Sequence, residues 1–209
     1  MGPSFPLFDQ RFLMNSTQAE PQPFQNVDVA IVGGGPAGLM AAELLSSWGY
    51  AVHLFDAMPS VGRKFLLAGR GGLNLTHAEE ASQFLTRYGQ HQQQLTPLVQ
   101  AWGAPELRNW AQSLGIDTFV GTSGRVFPSE MKAAPLLRSW LHRLRHPAEG
   151  VPVEFHMRHR LQCIQLLNVF DTAQIQLTFQ VQNLTSEVSQ SKEVRAKSVI
   201  LALGGGSWS

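Results

Sequence analysis

Three glycines and one acid carry the clearest chemical signal in this sequence. Gly33, Gly35 and Gly38 form a G-x-G-x-x-G pattern within the run GGGPAG, and Asp56 follows eighteen residues after Gly38. Glycines at this spacing allow a tight turn, a close approach of the backbone to a pyrophosphate, and close packing of a helix on a strand. A carboxylate at the position of Asp56 can accept hydrogen bonds from both hydroxyls of a ribose. The set therefore predicts a dinucleotide site, and the acid disfavours a ligand with a 2′-phosphate there.

A βαβ unit is needed to position these residues. VDVAIV, starting at Val27, is rich in β-branched residues and predicts a buried strand. LMAAELLSSWG then predicts a helix, and AVHLF predicts a second strand that ends at Asp56. The N-terminus of the helix would present free N–H groups and a partial positive charge to phosphates.

A second candidate segment is AMPSVGRKFLLAGRGGLNLTH, residues 57–77, which we predict to be a long loop. It carries Arg63, Lys64 and Arg70 and contains no acid. Its glycines permit a close approach of the backbone to a ligand, and its cations suit phosphates or an electron-rich ring. A solvated basic loop is the alternative interpretation.

The rest of the chain predicts helices followed by strands. Residues 78–114 are expected to be helical, with Pro105 at a first helical position and Gly115 just beyond a helix end. A short hairpin is expected at 121–124 and a helix over 133–146. VPVEFHMR, LQCIQLLNVF and QIQLTFQVQ predict a small antiparallel β-meander, and KSVILALGGG predicts one more strand. This order indicates an α/β fold, a Rossmann-type sheet with inserted helices and an antiparallel layer.

Composition limits the classes of function. The 209 residues are 44% hydrophobic and 15% charged, which is typical of a globular chain. The net charge of +1 gives no reason to expect binding to nucleic acid or to anionic membranes. No apolar run is long enough for a transmembrane helix, and the N-terminus lacks the features of a signal peptide. Residues 1–26 are expected to be a flexible leader, with Met1 or Met14 as the start. A cytoplasmic setting is expected.

The other reactive side chains form no catalytic set in the sequence. Cys163 is the single cysteine, which excludes an internal disulfide, and its apolar surroundings predict a small buried core residue. The seven histidines are scattered, and His156 with His159 lacks metal-type partners. We therefore expect structural or surface roles for the histidines and no metal site. The basic face of the helix at 133–146 is expected to be solvated.

Three segments together resemble the two-dinucleotide-fold flavoproteins: GGGPAG with its distant acid, GRKFLLAGRGGLNLTH, and SVILALGGGSW. They are similar in particular to the bacterial NAD(P)/FAD-dependent oxidoreductase family, which includes aminoacetone-oxidase-like proteins and a bile-acid-dehydroxylation flavoprotein. The GRVFP stretch also resembles that family. Many of its members have Arg-Cys-Asn where this chain has Gly72, Leu73 and Asn74. The difference points to a subgroup without that cysteine.

The resemblance implies FAD bound in an extended conformation. Asp56 would bind the adenosine ribose, Leu161 would offer a backbone contact to adenine, and Asn74 would face the flavin side. A cation would stabilise the reduced flavin. Lys64 is the preferred candidate for it, before Arg63 and Arg70. The implied cofactor-binding residues are Gly33, Gly35, Pro36, Ala37, Gly38, Asp56, Arg63, Lys64, Asn74, Leu161, Ala202, Gly204 and Gly205. NAD(P)H is the implied electron donor, and the small-molecule substrate is unassigned.

The chain ends in GGGSWS directly after a predicted buried strand. In the family that strand lies near the midpoint, so residues 27–209 are expected to be an incomplete FAD/NAD(P)-binding domain without its substrate domain. A second copy or a partner would then cover the open face. Two functions stay open: an FAD-dependent oxidoreductase that transfers hydride or electrons, and a catalytically silent nucleotide-binding fragment. An NAD-binding domain without flavin is a third.

Overall fold

The computed structural model describes residues 25–68, 71–169, 172–182 and 189–205, so the expected leader lies almost wholly outside the described residues. The helices are α1 Pro36–Ser47, α2 Arg63–Ala68, α3 Ala81–Thr86, α4 Gln92–Ala101, α5 Ala104–Ser113 and α6 Ala133–Arg145, with a 3-10 helix at Gly89–His91. The strands are β1 Gln25–Val32, β2 Val52–Asp56, β3 Thr76–His77, β4 Thr118–Val120, β5 Arg125–Pro128, β6 Glu154–Met157, β7 His159–Val169, β8 Thr172–Val181 and β9 Gln190–Leu201. Within the described ranges, no helix combines the length and apolarity needed to cross a membrane.

The main sheet has six strands in the order β6-β2-β1-β9-β8-β7. Strands β6, β2, β1 and β9 are parallel, and β8 and β7 continue from β9 in antiparallel fashion. A small antiparallel sheet, β3-β5-β4, lies in the insertion between β2 and β6. The Rossmann-type α/β prediction is confirmed, and so is the hairpin after β4. The antiparallel meander is confirmed for β7 and β8, which continue into β9. The placement of VPVEFHMR in the meander is wrong, because β6 pairs with β2 in parallel.

Strand β1 is buried on both faces, which explains its unbroken apolar run. Val29 and Ile31 pack in a core with residues of α1 and α6. Ala30 and Val32 pack in a second core with residues of β8 and β9. The meander is therefore continuous with the parallel sheet through β9 and also forms a layer over the face opposite to the helices.

Glu43 joins three helices on the first face. Its carboxylate accepts hydrogen bonds from Trp140 Nε1 at 2.6 Å, Arg143 Nη1 at 2.9 Å and Trp110 Nε1 at 3.1 Å. The side chain of Arg143 is 30% exposed, so the expectation of a fully solvated basic face is wrong at this residue. The network joins α1 to α5 and α6.

Two local predictions are wrong. Residues 57–77 contain α2 and β3, where a continuous loop was expected. Cys163 is exposed and not a core residue. It lies on β7, the last strand of the sheet order, where residues 162–166 are all exposed.

A group of histidine rings lies among the aromatic side chains between the sheet and the meander. The ring of His156 stacks on that of Phe55, with centroids 4.5 Å apart and planes at 13°. Burial, followed by the positive charges of Lys192, His53 and His159, lowers the pKa of His156 to about 4 from the ordinary 6.5. Burial also lowers the pKa values of His53 and His159.

We expect this depressed pKa to make the fold acid-sensitive. The unfolded chain protonates His156 near pH 6.5 and the folded chain only near pH 4, so stability is lost as the pH falls through this window. The full shift corresponds to about 3 kcal/mol, and solvent at the partly exposed ring reduces the loss to about 2 kcal/mol. Urea unfolding at several pH values in EDTA-containing buffer measures it. His156→Gln should flatten the profile and the exposed-site variant His91→Gln should not; an unchanged slope in His156→Gln would contradict the assignment.

Candidate functional site

The candidate site lies where β1 leads into α1. Gly33 follows β1 with a φ of +112°, a left-handed conformation that favours glycine. Its amide donates to Phe55 O at 2.8 Å, and the amide of Ala202 donates to Val32 O at 2.8 Å. The turn is thus held between the ends of β2 and β9. This is the carboxyl edge of the parallel strands, where ligands bind in open α/β sheets.

The three glycines of the motif differ in the space around them. A Cβ atom on Gly33 would overlap the backbone oxygen of Ala202, and one on Gly38 would overlap the oxygen of Gly33. A Cβ atom on Gly35 would meet no atom of the described residues within 4 Å. Gly33 and Gly38 are therefore required by packing, whereas Gly35 borders open space at the start of the helix.

Among the described residues, no side chain satisfies the N–H groups at the N-terminus of α1. Gly35 is the N-cap residue, Pro36 opens the helix, and no side chain caps this end. The first turn carries no acidic residue, and Pro36 and Ala37 are exposed. The unpaired N–H groups and the helix dipole of such an end favour a bound anion.

Asp56 lies directly beside the glycine turn. Its Oδ2 atom accepts a hydrogen bond from Gly34 N at 2.6 Å, and its Oδ1 atom accepts one from Met58 N at 2.7 Å. A carboxylate oxygen has two acceptor sites, so each oxygen retains one for a ribose hydroxyl.

Gly34 is a site residue that the sequence analysis missed. A Cβ atom there would overlap Val61 and lie 2.9 Å from Asp56 Oδ2, so the contact between the turn and the acid needs glycine. The signal available in the sequence was the uninterrupted run of three glycines, of which the motif uses only the first and the third.

Lys64 and the glycines after β9 come together beside the turn. Lys64 Nζ donates to Gly205 O at 3.4 Å, and a Cβ atom on Gly204 would lie 3.9 Å from Lys64 Nζ. The amide of Gly62 donates to Gly34 O at 2.8 Å and so anchors the start of α2 on the glycine turn. The segment 57–77 and the glycines after β9 therefore lie next to the glycine turn.

Among the described residues, no hydrogen bond joins the side chain of Arg63 or Leu161 to the glycine turn. Arg63 is exposed at the start of α2. Leu161 is partly buried against the second core, although the chain just before it reaches the loop after β2, where Arg158 N donates to Met58 O at 3.1 Å. Arg70 lies outside the described residues. The cofactor roles of all three stay predictions.

Asn74 belongs to a segment held by other elements. The amides of its neighbours Leu73 and Leu75 donate to Met131 O and Val126 O, each at 2.9 Å. Asn74 itself is exposed. The structure therefore places it on the insertion between β2 and β6, and its proposed position near a flavin stays a prediction.

A group of metal-type side chains was also missed. His156 was expected to lack such partners, but one ligand atom each of His53, Glu154 and His156 lies within 4.8 Å of the others. The expectation is wrong because β2 and β6 are neighbours in space and about a hundred residues apart in the chain. No local spacing in the sequence indicates that β2 and β6 are neighbours.

The model of the HI0933-like protein Rossmann domain matches residues 27–209. Thiamine thiazole synthase of Methanosarcina acetivorans is 36% identical over 66 residues, which are 32% of this chain and 25% of that protein. Ribosomal RNA dihydrouridine synthase of Haemophilus influenzae is 43% identical over 49 residues, 23% of this chain and 12% of that protein. The matched segment thus spans a quarter or less of each relative.

Solved structures share the fold over most of the described chain. The structure of THI4 from Thermovibrio ammonificans has a TM-score of 0.54 at 19% identity and covers 87% of this chain and 58% of that one. The open conformation of a flavocytochrome c3 fumarate reductase has a TM-score of 0.62 at 17% identity and covers 88% of this chain and 34% of that one. At these identities the likeness shows a common fold.

Proposed function

Since the chain belongs to the HI0933-like family of Rossmann domains, we propose that it is an FAD-binding flavoprotein of the oxidoreductase type. The observation that carries this proposal is the 2.6 Å contact between Asp56 Oδ2 and Gly34 N, beside the uncapped start of α1. The contact joins an acceptor for ribose hydroxyls to a place that favours phosphates. This combination suits the adenosine diphosphate half of the cofactor.

The residues of the turn fit that half of FAD. Gly35 leaves open space at the helix start, and the backbone N–H groups of Gly35, Ala37 and Gly38 would hold the pyrophosphate, since Pro36 has no N–H. Asp56 would accept from the ribose with the acceptor sites that Gly34 and Met58 leave unused. When bound, the flavin ring would supply hydride or electron transfer, while the protein binds and orients it.

Lys64 supports the placement of the second half of the cofactor. Its ammonium group lies at the glycines after β9, near the carboxyl ends of β1 and β9. A cation there would balance the negative charge of phosphates or of a reduced flavin. Arg63, Asn74 and Leu161 are proposed as further cofactor contacts on the resemblance of their motifs.

The substrate is left open by the proposal. The curated relatives are named for two different products, a thiazole and a dihydrouridine, and share only 49 to 66 residues with this chain. A short segment common to proteins with different reactions supports a shared cofactor module and not a shared substrate. NAD(P)H is proposed as electron donor from the motif resemblance alone.

Reconstitution with FAD tests the proposed function. The purified 209-residue chain is titrated with FAD and, separately, with ADP and NADP⁺, followed by flavin absorption and calorimetry. We expect FAD and ADP to bind, and NADP⁺ to bind more weakly because Asp56 repels a 2′-phosphate. A chain that binds ADP but holds no flavin would instead be the nucleotide-binding fragment. A chain that binds neither would contradict the proposal.

Asp56→Ala is expected to weaken ADP and FAD binding by about 1–3 kcal/mol, because it removes a charged hydrogen-bond acceptor. This is roughly a 5- to 150-fold rise in Kd. Asp28→Asn is the matched control, since Asp28 is a partly exposed acid on β1 that pairs with Lys197 at 2.6 Å, away from the turn. Calorimetry on both variants, with thermal unfolding to establish that they are folded, measures the effect. An unchanged Kd in folded Asp56→Ala would mean that the ribose lies elsewhere.

A further inference from the structure

A second polar cluster lies on the edge of the main sheet, three residues before Asp56 on β2. His53 Nδ1 is 3.0 Å from His156 Nε2 and 3.4 Å from Glu154 Oε2, and His156 Nε2 is 3.9 Å from the same carboxylate oxygen. We refer to His53, Glu154 and His156 as the edge triad. The proposed function uses none of its members.

The register of two parallel strands fixes the edge triad on one face of the sheet. His53 on β2 is paired with Glu154 on β6, and Phe55 is paired with His156. Because side chains alternate along a strand, Glu154 and His156 point to the same face, and so do His53 and Phe55. The stacking of His156 on Phe55, at 4.5 Å between centroids, holds the imidazole in place.

The distances within the edge triad match those between ligands of one metal ion. Nitrogen and oxygen ligands lie about 2.0–2.2 Å from zinc, which places neighbouring ligand atoms roughly 3.0–3.5 Å from one another at tetrahedral or octahedral angles. Two of the three separations lie in this range, and the third ends on Glu154, whose side chain is 63% exposed and free to adjust. The two histidine side chains are only 11% and 16% exposed, so water competes little for their nitrogens.

A fourth polar side chain completes the surroundings. The amide nitrogen of Gln25 lies 3.3 Å from His53 Nδ1. Nitrogen and oxygen of a side-chain amide exchange places by a simple flip, so Gln25 can present an oxygen at the same position. Two imidazole nitrogens together with oxygen ligands are a ligand set that binds zinc and other divalent first-row transition metals.

We propose that the edge triad binds a divalent transition-metal ion of the zinc class and thereby fastens β6 to β2. The ion would join an outermost strand of the sheet to the strand that ends in Asp56. The chain that leaves β6 donates from Arg158 N to Met58 O at 3.1 Å, next to the hydrogen bond between Met58 N and Asp56. The proposed ion would therefore stabilise the loop that follows Asp56 and donates to its carboxylate.

Lys192 opposes the bound ion and gives the proposal a second test. Its positive charge acts on both imidazoles of the edge triad. Removing that charge would lower the electrostatic cost of a divalent cation at the same place. Lys192→Met is therefore expected to tighten metal binding several-fold.

The test is a titration of the tag-free, EDTA-treated 209-residue chain with Zn²⁺ by calorimetry and with Co²⁺ by visible absorption. We expect one equivalent of each ion to bind and Co²⁺ to develop d–d bands. Glu154→Gln, which changes an exposed side chain, should weaken binding by about tenfold or more, and His156→Ala by about a hundredfold. His146→Ala is the matched control, because it breaks an exposed histidine pair on α6, His142 with His146, at 5.0 Å between centroids.

The variants distinguish binding at the edge triad from binding elsewhere. Loss of binding in Glu154→Gln together with full binding in His146→Ala supports the edge triad. Equal binding in the wild type and in Glu154→Gln, loss in His146→Ala, or no stoichiometric uptake by the wild type would each overturn it. If His156→Ala fails to fold, the folded Glu154→Gln variant and metal-induced NMR shifts of the His53 and His156 imidazoles still decide the question. Neither readout depends on FAD.

Discussion

Gly38→Ala is expected to destabilise the domain by about 3 kcal/mol or more. The new methyl group would overlap the backbone oxygen of Gly33 and lie 3.4 Å from the Cβ atom of Ala202. Because a backbone atom cannot turn aside as a flexible side chain does, α1 would have to move away from β1. Helix α1 carries Glu43, so such a displacement also strains the hydrogen bonds to α5 and α6. Urea unfolding monitored by circular dichroism measures the loss.

Gly71→Ala is the control for this substitution. An added Cβ atom on Gly71 meets no atom within 4 Å in the ranges that the structure describes, and the residue is exposed. We expect its unfolding midpoint to stay close to that of the wild type. A Gly38→Ala protein as stable as Gly71→Ala would mean that the close contact between α1 and the glycine turn is wrong.

Gly35→Ala, in contrast to Gly38→Ala, is expected to keep the stability of the fold and to weaken the binding of FAD. Its φ of −79° suits any residue, and the new methyl group would lie more than 4 Å from every atom of the described part of the chain. That methyl group would instead occupy the open space through which a pyrophosphate approaches the start of α1. We expect the Kd for FAD to rise by about 10- to 100-fold, which is roughly 1.4–2.7 kcal/mol. Calorimetry with FAD, together with thermal unfolding, separates the two effects.

The comparison of the two glycine variants distinguishes packing from binding. If Gly35→Ala binds FAD as the wild type does, the phosphates do not lie on this turn, however stable the variant is. If it unfolds, the open space beside Gly35 has been misassigned. Only loss of affinity without loss of stability agrees with a phosphate site at the start of α1.

The βαβ unit could be predicted because its signals are local. The glycine spacing, the β-branched run and the acid at the end of β2 all lie within 30 residues, and each has one physical task. The helix α6 and the hairpin between β4 and β5 were likewise marked by local apolar spacing and by glycines. The structure adds Gly34, whose role depends on the distant side chains of Val61 and Asp56.

The short helix α2 could not be predicted from its six residues. It has no acidic residue in its first turn, and a helix of this length is not stable by itself. Its start is fixed by tertiary contacts: Gly62 adopts a φ of +69° and donates to Gly34 O, and a Cβ atom on Gly62 would overlap Leu137 of α6. Such contacts leave no periodic pattern in the sequence.

Long-range register explains the remaining errors. His53 meets Glu154 and His156 only because β6 lies beside β2, and Cys163 is exposed only because β7 ends the sheet order. An apolar run such as LQCIQLL predicts a strand but does not tell whether the strand is central or at an edge. Sheet order has to be known before either side chain can be assigned.

The most direct test of the proposed FAD site is a crystal structure of the chain with FAD. We predict the pyrophosphate within hydrogen-bond distance of the backbone N–H groups of Gly35, Ala37 and Gly38, and the ribose hydroxyls on Asp56. Asp56 should keep its hydrogen bonds from Gly34 and Met58 in the complex. Phosphates bound away from the start of α1, or an adenosine ribose without contact to Asp56, would contradict the proposed site.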